Sequence, residues 1–441
     1  MHYAFEPGVA NARFSEALWG SVSTPAKTSP PPSRYSPTCC AALTRTTIPQ
    51  YVEANGLFAD AVASVHKEGD LLWVQDYHLT ILPRLLRERQ QCSAAKAAIG
   101  FFLHTPMPSA EVFALLPTRR EVLRGMLACD LTGFHTHDYS RNFLRACKAD
   151  LPDVTVLASS VLVARPGQRA TRCVVRADPI GIEPSAFEAA VAEPAAQKLL
   201  ATYAAKYIGQ NVICAVDRLD PIKGVEHRLL GFQALLQRHR ELIGKVTLIQ
   251  VAVPSRADVG AYKDLTASVN TLVGEINAEF STLAWTPIAF LYRSVEPAEL
   301  AALYALADVC LVTSVRDGFN LVACEYVACQ SSRAAAAAAT PTSSSQAPGV
   351  LVLSEFAGAA QSLAGALRVN PWSLDDLVTT THRALTMPAL ERSLRHKKSA
   401  ADVNLHTSRS WASAFVAELS ELADEREREA AGAKEAPIDT C

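Results

Sequence analysis

Two carboxylates that lie close together in the sequence could bind the hydroxyl groups of one ligand. Asp317 lies in the polar turn Ser314–Asn320 that follows the apolar run Val309–Thr313, and Glu325 lies one turn into the helix predicted next. A strand that ends in a glycine-bearing turn and leads into a helix presents backbone N–H groups and the positive end of a helix dipole. This pattern favours a diphosphate or a sugar held by main-chain donors. An ordinary surface turn at Asp317 with a solvated Glu325 would give the same pattern.

A second candidate site lies in the segment Asp217–Gly224. Arg218 and Lys223 flank a turn between a strand and a helix, and Gly224 allows a close approach at the helix start. Two cations at a helix opening can neutralise a diphosphate and stabilise it as a leaving group. Two solvated cations in a surface turn are the alternative. Because both segments fall in the same predicted sheet, the phosphate interpretation is favoured when they are considered together.

The composition excludes several functional classes. Lys plus Arg is 42 and Asp plus Glu is 44, so no basic excess indicates a nucleic-acid partner. No apolar run approaches membrane-spanning length, and the first residues lack the features of a signal or transit peptide. The 11 cysteines are an odd count without metal-ligand spacing, which predicts a reducing, cytoplasmic setting and no metal site.

Apolar runs alternate with helical patterns along most of the chain, which predicts an α/β fold. The expected architecture is two doubly wound, Rossmann-type domains facing a cleft, with one continuous helix over Ala186–Tyr207. Strands are predicted at Leu71–Gln75, Ala97–His104, Leu131–Phe134, within residues 155–177, and at Val212–Val216, Val246–Val253, Ile288–Tyr292, Val309–Thr313, Val350–Leu353 and Leu367–Asn370.

Composition also suggests the domain boundaries. Residues 1–184 form the first predicted domain and residues 185–400 the second, followed by C-terminal helices and a tail over 401–441. Runs rich in Pro, Ser, Thr and Ala predict a disordered insert at residues 23–47 and a low-complexity insert at residues 331–348.

Polar side chains follow several of the predicted strands. Ligands of such sheets bind beyond the carboxyl ends of the strands. In the first domain Asp76, His78 and His104 fall at such ends. In the second, Arg256 follows the strand Val246–Val253 in a Pro-Ser-Arg turn, a suitable place for an anion-binding cation.

Several long motifs occur in a fixed order along the chain: WVQDYHL, IGFFLHTPMPSAEVF, GFHTHDYSRNFL, DPIGIEP, VDRLDPIKGVE, VAVPSRADV, RDGFNLVACEY and LSEFAGAAQSL. They closely resemble the motifs of trehalose-6-phosphate synthases, the retaining glycosyltransferases that join UDP-glucose to glucose 6-phosphate. Apart from the two inserts, the resemblance extends from the first residues to about Leu419, and it implies a GT-B fold.

The resemblance implies a role for each candidate residue. Arg218 and Lys223 would bind the UDP diphosphate, and Glu325 would bind the ribose hydroxyls. His104 would contact the donor glucose near the reacting centre, Asp76 would bind the acceptor glucose, and Arg256 would bind the acceptor phosphate. The donor glucose would lie against Asp317, Gly318, Phe319, Asn320, Leu321, Val322 and Ala323.

The resemblance also implies a mechanism without a protein nucleophile. The leaving phosphate would help to deprotonate the acceptor on the same face of the sugar, and His104, Arg218 and Lys223 would supply placement and charge stabilisation. No metal and no cofactor is expected. The implied partners are UDP-glucose, glucose 6-phosphate and a trehalose-6-phosphate phosphatase or other subunits of a synthase complex, with no nucleic acid and no membrane.

The sequence departs from the family at its start. The family's first strand, its Gly-Gly loop over the donor diphosphate, an acceptor-phosphate arginine and an acceptor-side Tyr and Trp have no counterpart, so the first domain is expected to be incomplete and turnover to be poor. Cys324, Glu275 and Pro221 stand where Lys, Arg and Tyr are usual. Three functions therefore remain open: a synthase, a non-catalytic regulatory or binding subunit of a trehalose synthase complex, and another nucleotide-sugar glycosyltransferase of the same fold.

Overall fold

Two six-stranded β-sheets organise the computed structural model, which describes residues 37–89, 96–165, 168–255, 260–339 and 347–435. The chain divides into two units, one formed by Met1–Pro179 with Ala412–Cys441 and the other by Ile180–Trp411. Each unit contains one of the sheets. A search of the described helices finds none that could span a lipid bilayer.

The sheet of the first unit has the order β1-β2-β3-β6-β5-β4. β1, β2, β3 and β6 pair in parallel, whereas β5 pairs antiparallel with both β4 and β6. β2 is buried along its whole length, as expected for a parallel strand in the middle of a covered sheet. The strands are β1 Leu71–Gln75, β2 Ala98–Leu103, β3 Leu131–Phe134, β4 Val154–Val156, β5 Ser160–Arg165 and β6 Gln168–Ala177. The helices of this unit are Pro37–Val65, Leu82–Glu88, Ala110–Phe113, Arg119–Met126, His137–Asp150 and, from Ala412 onward, most of the helix Ser408–Glu435.

The sheet of the second unit is parallel throughout, in the order β12-β11-β10-β7-β8-β9. The strand order reverses between β7 and β10, and ligands of doubly wound sheets bind at the carboxyl side of such a switch point. The strands are β7 Asn211–Arg218, β8 Val246–Val253, β9 Ile288–Leu291, β10 Val309–Val312, β11 Val350–Ser354 and β12 Leu367–Val369. The helices are Pro184–Ala192, Pro194–Lys206, Val225–Arg238, Gly260–Phe280, Pro297–Leu306, Leu321–Cys329, Ser331–Ala339, Leu374–Leu385 and Ala389–Leu405.

The predicted α/β class with two largely parallel sheets is confirmed, but the single helix predicted over Ala186–Tyr207 is wrong. The chain forms two helices there, which meet at Glu193. Pro194 causes the break, because proline lacks the N–H that would continue the first helix and is well suited to the first turn of the next.

The structure describes part of each predicted insert as helix. Residues 37–47 belong to the helix Pro37–Val65, while residues 23–36 lie outside the described residues. In the second insert the helix Ser331–Ala339 forms, since alanine has the highest helix propensity and Arg333 anchors its first turn. The Arg333 guanidinium donates to the Leu306 and Ala307 carbonyl oxygens and pairs with Asp308 at 2.9 Å.

The C-terminal helix belongs to two units rather than to a separate region. The contacts of the chain divide it at residues 179/180 and 411/412, whereas the prediction placed boundaries at 184/185 and 400/401. Within the first unit, the Phe415 ring stacks on Trp73 with the ring centroids 4.4 Å apart. The ring lies over Gly100 and Gly133, where a Cβ would come within 2.5 and 2.9 Å of it. The two glycines therefore make the surface on which this helix packs.

Phe415→Ala is expected to destabilise the first unit by about 3–5 kcal/mol, because it removes a fully buried ring from a site that backbone glycines cannot refill. Calorimetric unfolding of the full chain measures the change in the first-unit transition. Val416→Ala is the matched control, because this neighbouring side chain is 42% exposed and its loss should cost little. Equal effects of the two variants would contradict the packing described.

Candidate functional site

The two candidate segments of the second unit lie at the carboxyl ends of adjacent strands. Arg218 is the last residue of β7 and its side chain is exposed, and the turn that contains Asp317 follows β10. β7 and β10 are paired in parallel, so the two segments lie at the same edge of the sheet. The structure thus brings Arg218, Lys223 and Asp317 together at the switch point.

Gly224 brings the two turns into direct contact. Its φ of 63° is left-handed, and a Cβ on it would lie 2.1 Å from the carbonyl oxygen of Thr313. The Thr313 hydroxyl donates to the Gly224 carbonyl oxygen at 2.9 Å, and the Val315 N–H donates to that of Ile222 at 2.9 Å. A side chain at position 224 would therefore push the turns apart as well as strain the backbone.

A largely buried ion pair joins the turns through their side chains. The Lys223 ammonium lies 2.6 Å from Asp317 Oδ2, and the two side chains are only 14% and 13% exposed. The same oxygen accepts hydrogen bonds from the Ser314 hydroxyl at 3.2 Å and from the Asn320 amide at 2.9 Å. Asp317 Oδ2 thus accepts from three donors. The Asp317 carboxylate holds the Lys223 side chain against the turn, so this side chain does not extend into solvent.

The segment after Asp317 has the conformation of a capped helix start. Asn320 has a φ of 82°, in the left-handed region that asparagine tolerates better than most residues, and its side chain accepts a hydrogen bond from the Ala323 N–H at 3.2 Å. The first N–H groups of the helix Leu321–Cys329 lack intrahelical acceptors. Gly318, Phe319, Leu321 and Val322 complete the predicted backbone segment.

A turn after β11 supports this segment through contacts that the sequence did not predict. The Asp317 N–H donates to the Phe356 carbonyl oxygen at 3.2 Å, and the Gly358 N–H donates to that of Asp317 at 3.2 Å. The Ala359 N–H donates to the Phe319 carbonyl oxygen at 2.9 Å, and a Cβ on Gly358 would lie 2.1 Å from the Gly318 carbonyl oxygen. Only the glycine within the motif LSEFAGAAQSL pointed to such a close approach.

Glu325 lies in the helix that follows Asn320 and is largely buried. The Tyr304 hydroxyl donates to its Oε2 at 3.1 Å. Burial raises the pKa of the Glu325 carboxyl above its ordinary value, and the Tyr304 hydrogen bond only partly offsets this. Tyr304 is fully buried. Its contact with Glu325 was not predicted, because the two residues lie far apart in the sequence.

A second buried ion pair fixes the end of β7. Arg228 and Asp217 lie 2.7 Å apart with exposures of 0% and 3%, and Arg228 also donates to the Gln250 side chain at 2.8 Å. Burial raises the pKa of the Asp217 carboxyl, and the Arg228 charge opposes this. The pair ties the helix Val225–Arg238 to the residue before Arg218, so it positions the exposed cation without contacting a ligand itself.

The first unit brings Asp76 and His104 together at the ends of β1 and β2. The backbone N–H of His104 donates to Asp76 Oδ1 at 3.1 Å, and Asp76 has a φ of 66°, which is unusual for a residue other than glycine. The His104 Nε2 lies 2.8 Å from the side-chain oxygen of Gln75. Burial lowers the pKa of His104, although the Asp76 charge acts in the opposite direction. The imidazole is therefore neutral at neutral pH.

His135 lies beside this pair and was not identified from the sequence. Its ring centroid is 5.2 Å from that of His104 and 5.0 Å from that of Phe102. Burial, with a contribution from His104, lowers the pKa of His135 to about 3. The remaining predicted site residue, Arg256, lies outside the described residues.

Comparisons with known proteins give a matching family model and similar proteins. The family model described as Glycosyltransferase family 20 matches residues 35–421. An alpha,alpha-trehalose-phosphate synthase (UDP-forming) of Emericella nidulans is 45% identical over 396 residues, which are 88% of this chain and 73% of that protein.

Solved structures are also similar to this chain. An alpha,alpha-trehalose-phosphate synthase (UDP-forming) from Burkholderia xenovorans, in complex with glucose-6-phosphate, is 34% identical with a TM-score of 0.76, over 85% of this chain and 78% of that one. A structure described as trehalose-6-phosphate from E. coli bound with UDP-2-fluoro glucose is 37% identical with a TM-score of 0.76, again over 85% and 78%.

A double-mutant cycle of Lys223→Ala and Asp317→Asn should give a coupling free energy of about 1–3 kcal/mol, because the pair is nearly buried and shares one oxygen with two other donors. Denaturant unfolding of the four proteins measures it. The pair Arg238–Asp375, with exposures of 48% and 80%, is the control and should couple by less than about 1 kcal/mol. A coupling at Lys223–Asp317 no larger than that of the control would show that the ion pair does not hold the turns together.

Proposed function

The chain belongs to glycosyltransferase family 20, and we propose that it moves glucose from UDP-glucose to glucose 6-phosphate with retention of configuration, forming trehalose 6-phosphate. The predicted GT-B-like fold class agrees with the structural matches. The main support within the chain comes from the carboxyl edge of the second sheet: Arg218 ends β7, Lys223 pairs with Asp317 in the turn after β10, and Glu325 lies in the helix that follows that turn. A nucleoside diphosphate needs two cations near its phosphates and a carboxylate near its ribose, and this edge supplies both.

In this proposal Arg218 and Lys223 bind the diphosphate. The Lys223 ammonium has three N–H donors, of which Asp317 takes one, so donors remain for phosphate oxygens. The ion pair also limits the freedom that the lysine side chain would lose on binding. As the bond to glucose breaks, negative charge grows on the leaving phosphate, and cations already in place stabilise that charge without further reorganisation.

Glu325 takes the ribose hydroxyls. Tyr304 occupies one lone pair of Oε2 and orients the carboxylate, and no hydrogen bond to Oε1 is found among the described residues. A carboxylate oriented in this way can accept hydrogen bonds from neighbouring hydroxyls. The glucose of the donor lies against the backbone from Asp317 to Ala323, which the turn after β11 holds in shape.

Asp76 and His104 are the residues of the first unit to which this proposal assigns roles. Asp76 accepts hydrogen bonds from hydroxyls of the acceptor glucose, and His104 contacts the donor glucose near the reacting carbon. Because its imidazole is neutral, it can accept a hydrogen bond from a sugar hydroxyl. Arg256 binds the phosphate of the acceptor. No side chain serves as the nucleophile, and the leaving phosphate assists deprotonation of the acceptor on the same face.

Arg218→Ala should weaken UDP binding by about 1.5–3 kcal/mol, the usual loss for a hydrogen bond to a charged group. Isothermal titration calorimetry with UDP measures this. Lys245→Ala is the matched control, because Lys245 is an exposed cation of the same unit that precedes β8 at the opposite, amino edge of the sheet. Equal affinities of Arg218→Ala and the unmodified chain would defeat the donor-site assignment.

Turnover is measured separately, by following UDP release from UDP-glucose in the presence of glucose 6-phosphate, with NMR of the product to determine its configuration. The proposal predicts release that depends on the acceptor and an α,α-linked product. A chain that binds UDP in the calorimeter but forms no product would instead be a binding or regulatory subunit.

Glu325 should make donor binding depend on pH. Since burial raises the pKa of its carboxyl, the carboxylate is lost at a higher pH than an ordinary glutamate, and the UDP-glucose affinity should fall as the pH drops through that raised value. Glu325→Gln should bind about tenfold more weakly at neutral pH and lack this pH dependence. UDP-glucose is the suitable ligand because it has no terminal phosphate that titrates near neutrality. Parallel pH profiles of the two proteins would exclude Glu325 as the titrating group.

A further inference from the structure

Two histidines and a glutamate meet at the amino edge of the second sheet. His239 follows the helix Val225–Arg238, Glu241 lies in the next short turn, and His382 lies in the last turn of the helix Leu374–Leu385. The helix Val225–Arg238 has 14 residues and starts beside Lys223, so the cluster lies about 20 Å from the proposed donor site. The proposed glucosyl transfer assigns no role to these three residues.

The ligand atoms of the cluster are close together. His239 Nδ1 lies 3.1 Å from Glu241 Oε1, and His382 Nε2 lies 3.9 Å from the same oxygen. One ligand atom from each of the three residues lies within 4.8 Å of the other two. In a tetrahedral zinc site with bonds of about 2.0–2.1 Å, neighbouring ligand atoms are about 3.3 Å apart, so the two measured distances lie on either side of the required separation.

We propose that His239, Glu241 and His382 form a binding site for a divalent cation of the Zn²⁺ class, with water completing the coordination. Two imidazoles and one carboxylate suit zinc and its neighbours among the later first-row metals, whereas calcium and magnesium prefer oxygen ligands alone. The sequence predicted no metal site, because His382 lies far along the chain from the other two residues and the local spacing resembles no metal motif.

The imidazole rings must move slightly to bind the ion. Their centroids are 3.8 Å apart with an angle of 14° between the planes, so the nitrogen lone pairs lie in nearly parallel planes and cannot meet at one ion until a ring rotates. Rotation about the Cβ–Cγ bond corrects this, and the torsional preference there is broad. The side-chain exposures of 29%, 61% and 31% for His239, Glu241 and His382 leave room for the rotation.

The electrostatic surroundings suit a cation. Of the arginines near the cluster, Arg238 lies 2.6 Å from Asp375 and Arg383 lies 3.1 Å from Glu391, while Arg240, between His239 and Glu241, is exposed so that solvent screens its charge. The charge of these arginines is thus compensated or screened locally.

The two helices that supply the histidines already pack tightly. A Cβ on Gly231 would lie 3.1 Å from the Leu377 side chain, which is close enough to show that the helices approach without a spacer. A cation bound at their ends would therefore link two elements whose spacing is fixed, and by binding the folded state alone it would stabilise the second unit.

Titration of Zn²⁺ alone into the metal-free full chain tests the proposal by calorimetry and by thermal unfolding. A site is expected whose affinity falls at least about tenfold in His382→Ala and in Glu241→Gln, since even losing a group that only supports a ligand costs about 10–100-fold. Zn²⁺ should raise the melting temperature of the unmodified chain more than that of either variant. His137→Ala removes an exposed histidine of the first unit and is the matched control, which should bind as the unmodified chain does.

Co²⁺ provides a readout that does not depend on the variants folding. Tetrahedral nitrogen and oxygen ligation should give visible d–d absorption without a thiolate charge-transfer band. A thiolate band would show that cysteines bind the ion and would overturn the proposal. It would also be overturned if Glu241→Gln, an exposed substitution, left the Zn²⁺ affinity unchanged, or if the unmodified chain bound no Zn²⁺. None of these outcomes depends on glucosyl transfer.

Discussion

The ion pair between Lys223 and Asp317 is the interaction on which the candidate site depends. It joins two turns that are far apart in sequence and holds a cation where a diphosphate could meet it. Gly224 makes the pair possible, because only a residue without a side chain lets the first turn approach Thr313 so closely. The Asp317 carboxylate also accepts hydrogen bonds from Ser314 and Asn320, so this one charged group fixes the conformation of the turn that contains it.

The parallel order of the second sheet explains why these turns are neighbours at all. Chain order runs outward from β7 to β9 on one side and from β10 to β12 on the other, so the ends of β7 and β10 meet in the middle. The buried pair of Asp217 and Arg228 then fixes the last residues of β7. Removing either partner would leave the other charge buried and uncompensated. The intact pair therefore fixes the backbone next to Arg218.

Apolar runs were sufficient to predict the strands, because a parallel strand buried on both faces leaves a continuous apolar segment in the sequence. The polar turns that follow them pointed to Arg218, Lys223 and Asp317. Contacts between distant residues were not predictable in this way: Tyr304 with Glu325, His135 with His104, and the turn after β11 with Gly318 leave no local pattern. The packing of Phe415 on Trp73 likewise depends on a tertiary partner, and in the alanine run the contacts of Arg333 add to the high helix propensity of alanine.

A crystal structure of the chain with UDP tests the central claim most directly. The account predicts the diphosphate at the carboxyl ends of β7 and β10, in contact with the side chains of Arg218 and Lys223, and the ribose hydroxyls at Glu325. UDP bound at any other edge of the second sheet, or with its diphosphate away from both cations, would contradict it.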